Sequence, residues 1–153
     1  MVMTEAFALP DWVAAQGVEA EDYALWLRRQ ATNIRNRNKK SWPEGAQIPA
    51  RDAYMRKIHK EVVASHGRCH YSGQGIDWAL VATRQPGVGG RKARRKCRAA
   101  PSIDHVNGPG NLDLKLCRDD VNVAKGYLTP ADFVALCHAV VGTAAGLSGP
   151  QGK

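Results

Sequence analysis

The stretch 102–125 holds the side chains whose types and spacing could do chemistry. It contains the adjacent pair Asp104 and His105, followed by two asparagines, Asn111 and Asn122. Carboxylate and amide oxygens suit a hard divalent cation such as Mg²⁺, which keeps several waters and so needs only two protein oxygens. A neutral imidazole can take a proton from water near pH 7. The set therefore suits hydrolysis at a single metal ion.

The local pattern around these residues predicts a strand, a turn, a second strand and a short helix. Asp104 and His105 lie late on the first strand, and the glycine-rich loop 107–110 makes the turn. Asn111 is expected to open the second strand, and Asn122 to lie on the helix. Strand alternation would point Asp104 and His105 to opposite faces, so we expect a twist or bulge if both serve one phosphate.

Composition indicates one globular domain, or one domain with an appendage. The chain has 153 residues, of which 44% are hydrophobic, enough for a packed core. No apolar run approaches the ~20 residues that span a bilayer, so no membrane partner is expected. The first ten residues lack the features of a secretory signal, and a cytoplasmic location is the expectation.

Positive charge is concentrated in two stretches. The net charge is +8, and the segments 28–40 and 84–98 hold 13 of the 22 lysines and arginines without a single acidic residue. Such patches favour a polyanionic partner, because each neutralised phosphate releases counterions. The alternative is a solvated basic face that serves solubility.

Helical periodicity predicts the elements that surround this stretch. We expect helices over about 20–38, whose polar last turns should fray, and over about 50–66. The proline-containing segment 41–49 reads as a linker. A last helix should begin at Thr129-Pro130, end at Gly142 and pack on the core. Its expected buried face consists of Phe133, Leu136, Cys137, Val140 and Val141.

The ordered set Asp104-His105, Asn111-Leu-x-Leu and Asn122-x-x-Lys-Gly resembles the ββα-metal core of the HNH nucleases, as found in small bacterial or phage stand-alone members. The resemblance is sharp over 102–128 and softer over the rest of 9–141. It implies an α+β fold with a ββα-metal, treble-clef-like core packed by flanking α-helices, in which the first strand carries the needed distortion. The implied division is an N-terminal helical appendage and linker at 1–49, a nuclease domain at 50–142 with its core at 101–126, and a disordered tail at 143–153.

The resemblance also implies roles for single residues in a one-metal endonuclease that hydrolyses DNA. Asp104 and Asn122 would hold one Mg²⁺ or Mn²⁺. The third position of the HNH motif is Asn122 in this chain rather than His, and that difference alters the metal preference. His105 would be the general base and Asn111 its orienting partner, with Asn107 as a weaker candidate. The expected nucleic-acid contacts are Lys125 and Arg118 near the metal, and Arg91, Lys92, Arg94, Arg95, Lys96, Arg98, Arg35 and Arg37 further out.

The four cysteines do not form a Cys-x-x-Cys pair. A zinc knuckle is common beside HNH cores but needs paired cysteines, so structural zinc is not expected. Buried or reduced thiols are expected instead, because disulfides are rare in a reducing compartment.

Two other functions compete with the DNA endonuclease. One is a catalytically inactive nucleic-acid-binding protein that keeps the HNH fold, although a binder has no need of Asp104, His105 and Asn122 together. The other is a metal-dependent RNase, since nothing in the sequence discriminates the sugar. Double-stranded DNA is the expected partner. Specificity for a DNA sequence is not predicted, and a protein partner or the segment 9–40 would have to supply it.

Replacing Asn122 by Ala should weaken metal binding more than DNA binding, because the amide oxygen is expected to be a metal ligand. Titration of the variant with Mn²⁺ and with DNA, each alone, measures the two affinities. Equal losses in both titrations would count against the ligand role.

Overall fold

The computed structural model describes residues 7–83 and 97–147 of the chain. These residues form a mixed α+β fold, as the sequence predicts. The helices are α1 (Asp11–Ala14), α2 (Ala20–Asn38), α3 (Arg51–Ser65), α4 (Ala79–Thr83), α5 (Asp119–Lys125) and α6 (Pro130–Leu147), and the strands are β1 (Pro101–His105) and β2 (Leu114–Arg118). Residues 84–96 of the predicted basic segment 84–98 and the end of the predicted tail, 148–153, lie outside the described residues.

The predicted apolar stripe of α2 is the inner wall of the core. Tyr23, Leu27, Ala31 and Ile34 are fully buried, and they pack with α3 and with the inner face of the sheet in one hydrophobic cluster. Acidic residues in the first turn of α2 and arginines in its last turn complement the helix dipole. The segments before and after residue 49 therefore share one core.

The last turn of α2 is ordered, which corrects the expectation that it frays. The helix continues to Asn38, whose side chain is completely buried although it is polar. Its amide nitrogen donates to the hydroxyl of Tyr54 at 3.2 Å and to the carbonyl oxygen of Asn111 at 2.8 Å, and its amide oxygen accepts from the backbone of Gly110 at 3.0 Å. A buried amide is tolerated because these partners satisfy it. Asn38 thus fastens the loop between the two strands to α2 and α3.

The two strands pair antiparallel in one continuous register. Asp104 faces Lys115 and His105 faces Leu114, and the ladder runs unbroken from Pro101 to His105. The expected distortion was a twist or a bulge, and this described ladder contains no bulge. Asp104 and His105 are nevertheless both buried, 5% and 7% exposed.

Asn111 lies in the loop and does not open the second strand, which corrects the sequence prediction. β2 begins at Leu114. The Asn111 side chain accepts from the backbone of Asp113 at 2.7 Å and donates to the carbonyl oxygen of Gly108 at 3.1 Å. Asparagine commonly makes such local bonds, which compete with strand pairing.

Helix α6 departs from the prediction in its packing and in its length. It runs past Gly142 to Leu147, so the first part of the predicted tail is helical. Its expected buried face is largely exposed, with Leu136 at 49% and Val140 at 60%, because α2, α3 and the sheet already close the core. Near the start of the helix, the Phe133 ring meets the Tyr71 ring edge-on at 6.3 Å between centroids.

Among the helices that the structure describes, none is by itself long and apolar enough to cross a membrane, although α5 and α6 together, bent by 95°, meet the same test of length and composition.

Replacing Gly110 by Ala should destabilise the fold by about 2 kcal/mol or more. Gly110 has a φ of +100°, and an added Cβ would collide with the backbone carbonyl oxygen of Ser41. Urea denaturation measures the loss. Gly108→Ala is the matched control in the same loop, since Gly108 also has a positive φ but open space around it. Equal losses for the two variants would show that the contact with Ser41 is unimportant.

Candidate metal and nucleic-acid site

Asp104 is a buried carboxylate held through one of its two oxygens. Oδ2 accepts the hydroxyl of Tyr71 at 2.6 Å and lies 3.1 Å from the ammonium of Lys125. A buried charge is costly unless it is paired and hydrogen-bonded, and these two partners meet that need. Both contacts go to Oδ2, and Oδ1 takes part in neither of them.

Lys125 lies in the last turn of α5 and is only 2% exposed. Its ammonium faces Asp104 and also lies 5.8 Å from the centre of the Tyr71 ring. The residue predicted to contact a phosphate therefore points to a carboxylate rather than to the surface. Its role toward a phosphate stays a prediction.

Asn122 reaches from α5 to β1 beside Asp104. Its amide nitrogen donates to the hydroxyl of Ser102 at 2.8 Å and lies 3.3 Å from the carbonyl oxygen of Ile103. A carbonyl can only accept, so the nitrogen must face the strand. The amide oxygen consequently faces away from those two partners. Asn122 is thus bonded to the strand that carries Asp104, the other predicted metal ligand.

His105, the predicted base, is buried next to this pair. Its Nε2 is shielded from solvent and has no hydrogen-bond partner among the described residues. Burial lowers the pKa of His105, and the positive charges of Arg37 and Lys125 lower it further, while Asp104 partly opposes them. The neutral imidazole is therefore favoured at pH 7, as a base requires.

Asn111, the predicted orienting partner of His105, uses its polar groups elsewhere. Its side chain bonds within the loop, and its carbonyl oxygen accepts from Asn38. The contact with His105 is not among these bonds, and that role stays a prediction. Asn107, the weaker candidate, donates to the carboxylate of Asp113 at 2.9 Å.

Apart from Lys125, the predicted nucleic-acid contacts fall into three groups. Arg118 forms two bonds of 3.0 and 2.6 Å with Asp120, and Arg35 donates to the carbonyl oxygen of Pro49 at 3.0 Å, so both are partly engaged within the protein. Arg37 and Arg98 are exposed. The remaining five, Arg91, Lys92, Arg94, Arg95 and Lys96, lie outside the described residues.

Three residues that support the site escaped the sequence prediction. Tyr71 bonds to Asp104, Ser102 bonds to Asn122, and Asn38 holds the loop that follows His105. Ser102 could have been found, because it lies two residues before Asp104 on the same strand. Tyr71 and Asn38 are distant in sequence, and no local pattern connects them with the site.

The two predicted ligands offer oxygens of the kind that a hard cation prefers, a carboxylate from Asp104 and an amide oxygen from Asn122. Mg²⁺ and Mn²⁺ accept such oxygens and complete their shell with water. Within 7–83 and 97–147 there is no group of three or more His, Cys, Asp or Glu side chains that could hold a metal. The described cysteines are free thiols, of which Cys69 and Cys117 are buried.

Comparisons of the chain with protein-family models, with curated proteins and with solved structures found no match.

Replacing Arg37 by Gln should raise the pKa of His105, because it removes a positive charge that disfavours the imidazolium. An NMR titration of the imidazole C–H resonances measures this pKa. The difference from wild type should shrink in high salt, since Arg37 is exposed. Arg29→Gln, an exposed charge further back on α2, is the control. Equal pKa values in wild type and Arg37→Gln would remove Arg37 from the electrostatics of the site.

Proposed function

We propose that this chain is a metal-dependent endonuclease of HNH type that hydrolyses phosphodiester bonds of DNA. The observation that carries the proposal is that Asn122, on α5, is bonded to β1, the strand on which Asp104 and His105 are neighbours. This order of strand, strand and helix is the one that a ββα-metal core requires.

In this proposal Asp104 and Asn122 hold one Mg²⁺ or Mn²⁺. The ion would supply positive charge for the phosphate in the transition state and for the departing oxygen. Tyr71 and Ser102 would hold the two ligands in place, because Tyr71 donates to Oδ2 of Asp104 and Ser102 accepts from the amide nitrogen of Asn122. Preset ligands lose less conformational entropy when the site fills.

His105 accepts the proton of the attacking water. Its lowered pKa supports this role, since an imidazole that is already protonated cannot act as a base. The buried Nε2 without a protein partner also supports it, because such an atom costs stability unless a ligand or a water uses it.

The charge of the chain supports a nucleic-acid substrate. The net charge is +8, and the exposed Arg37 acts on His105 electrostatically, so part of the positive surface lies beside the proposed catalytic residue. Approach of a phosphate backbone to that surface is favoured by counterion release.

One observation favours the non-cleaving alternative. The carboxylate of Asp104 is already neutralised by a buried ammonium, an arrangement that is complete without a metal ion. A protein that kept the fold and lost the reaction could be stabilised in this way while its basic surface still binds nucleic acid.

Cleavage of a supercoiled plasmid distinguishes these functions. The wild type should nick the plasmid with Mg²⁺ or Mn²⁺, and EDTA should stop the nicking. His105→Ala should nick at least about 100-fold more slowly, because the general base is absent. His138→Ala, an exposed histidine on α6, is the matched control and should keep full activity.

Gel-shift titration with the same DNA checks that binding survives in each variant. If the wild type shifts DNA at moderate salt without nicking it, the binding protein becomes the better reading, and a parallel assay on RNA tests the RNase. Nicking that survives in His105→Ala would exclude His105 as the base.

A further inference from the structure

The ion pair between Asp104 and Lys125 lies where the proposed metal would bind. The side chain of Lys125 is 1% exposed and that of Asp104 is 6% exposed, and the ammonium is 3.1 Å from Oδ2. The pair is therefore largely removed from water, and salt screens such a buried pair only weakly. The positive charge of Lys125 cancels the negative charge of Asp104, the one carboxylate in the proposed ligand set.

A carboxylate that is already neutralised attracts a divalent cation less. With Lys125 in place, the charge of the pair is zero, and a divalent cation at Oδ1 would also be repelled by the ammonium at Oδ2. Coulomb interactions over a few ångströms are strong at the effective dielectric of a protein interior. The same site without the ammonium would present a full negative charge to the ion.

Tyr71 holds the carboxylate of Asp104 independently of the Lys125 ammonium. Its hydroxyl donates to the same Oδ2 at 2.6 Å, and its ring lies under the ammonium. Oδ2 would therefore keep a hydrogen bond if the ammonium moved away. The carboxylate can exchange its cationic partner without losing all its contacts.

We infer that Lys125 is an internal counter-cation, which neutralises Asp104 when no metal is bound and competes with a divalent cation for that carboxylate. The inference rests on the metal site of the proposed function. It assigns Lys125 a positioning and regulatory role instead of the predicted phosphate contact. Because linkage between two binding events is reciprocal, a metal ion whose binding is weakened by Lys125 must in turn weaken the ion pair.

Mn²⁺ binding to the full chain tests the competition without any nuclease assay. Electron paramagnetic resonance of free Mn²⁺ gives the Kd of the wild type and of Lys125→Gln and Lys125→Met. Both variants should bind Mn²⁺ at least about tenfold more tightly, since they remove the repulsion and free the carboxylate charge. Far-UV circular dichroism checks that they are folded.

Two further variants test whether the tighter Mn²⁺ binding arises from the freed charge of Asp104. Lys57→Met removes the same charge from a different ion pair, with Glu61 at 2.7 Å, and should leave the Kd unchanged. In the double variant Asp104→Asn/Lys125→Gln the tighter binding should vanish. Unchanged or weaker Mn²⁺ binding in folded Lys125→Gln, or no binding by any variant, would overturn the inference and leave a purely structural ion pair.

If both Lys125 variants fail to fold, chemical labelling of the wild type tests the competition between Lys125 and Mn²⁺ for Asp104. An amine-reactive acetylating reagent, read out by mass spectrometry, should modify the buried Lys125 faster when Mn²⁺ saturates the protein. Unchanged labelling would contradict competition. Failure of the nuclease proposal looks different: the plasmid would remain intact with metal present, although Lys125→Gln still tightens Mn²⁺ binding.

Discussion

The buried carboxylate of Asp104 is the constraint on which the rest of the structure depends. A charge with so little exposure requires partners, and the chain supplies them from two distant segments. Tyr71 comes from the turn that follows α3, and Lys125 comes from the end of α5. To deliver both, the hairpin must be closed, α5 must lie against β1, and the segment around Tyr71 must fold over the junction. The need to pair the buried Asp104 carboxylate thus shapes both the candidate site and the packing around it.

A second buried polar group, Asn38, joins the N-terminal helices to this junction. Two of its hydrogen bonds, with Gly110 and Asn111, hold the loop that begins directly after His105, and the third joins it to Tyr54 on α3. Because α2 also buries its apolar stripe against α3 and the sheet, the helices that precede residue 49 are part of the scaffold of the site. The same helix end carries Arg37, whose charge acts on His105. An element that resembled an appendage in the sequence therefore contributes both packing and electrostatics.

Helix α6 illustrates the opposite case. Its periodic apolar residues are those expected of a core helix, yet most of them face outward in the described structure. Helical periodicity states which residues share a face, and only the surrounding elements decide whether that face is covered. The core consists mainly of residues from α2, α3 and the two strands, and α6 leaves α5 at a bend of 95°.

The sequence by itself determined the secondary-structure elements that local order encodes. It predicted α2 and α3, the strand that ends at Asp104 and His105, and a helix that carries Asn122, because amphipathic spacing, turn residues and the contents of one short segment are local properties. Only the tertiary structure decided the partners of those residues. Tyr71, Asn38 and Lys125 acquire their roles from burial, since a polar group inside a protein must find a hydrogen-bond or charge partner wherever the fold provides one. Such partners are chosen by distance in space, which spacing along the chain does not record.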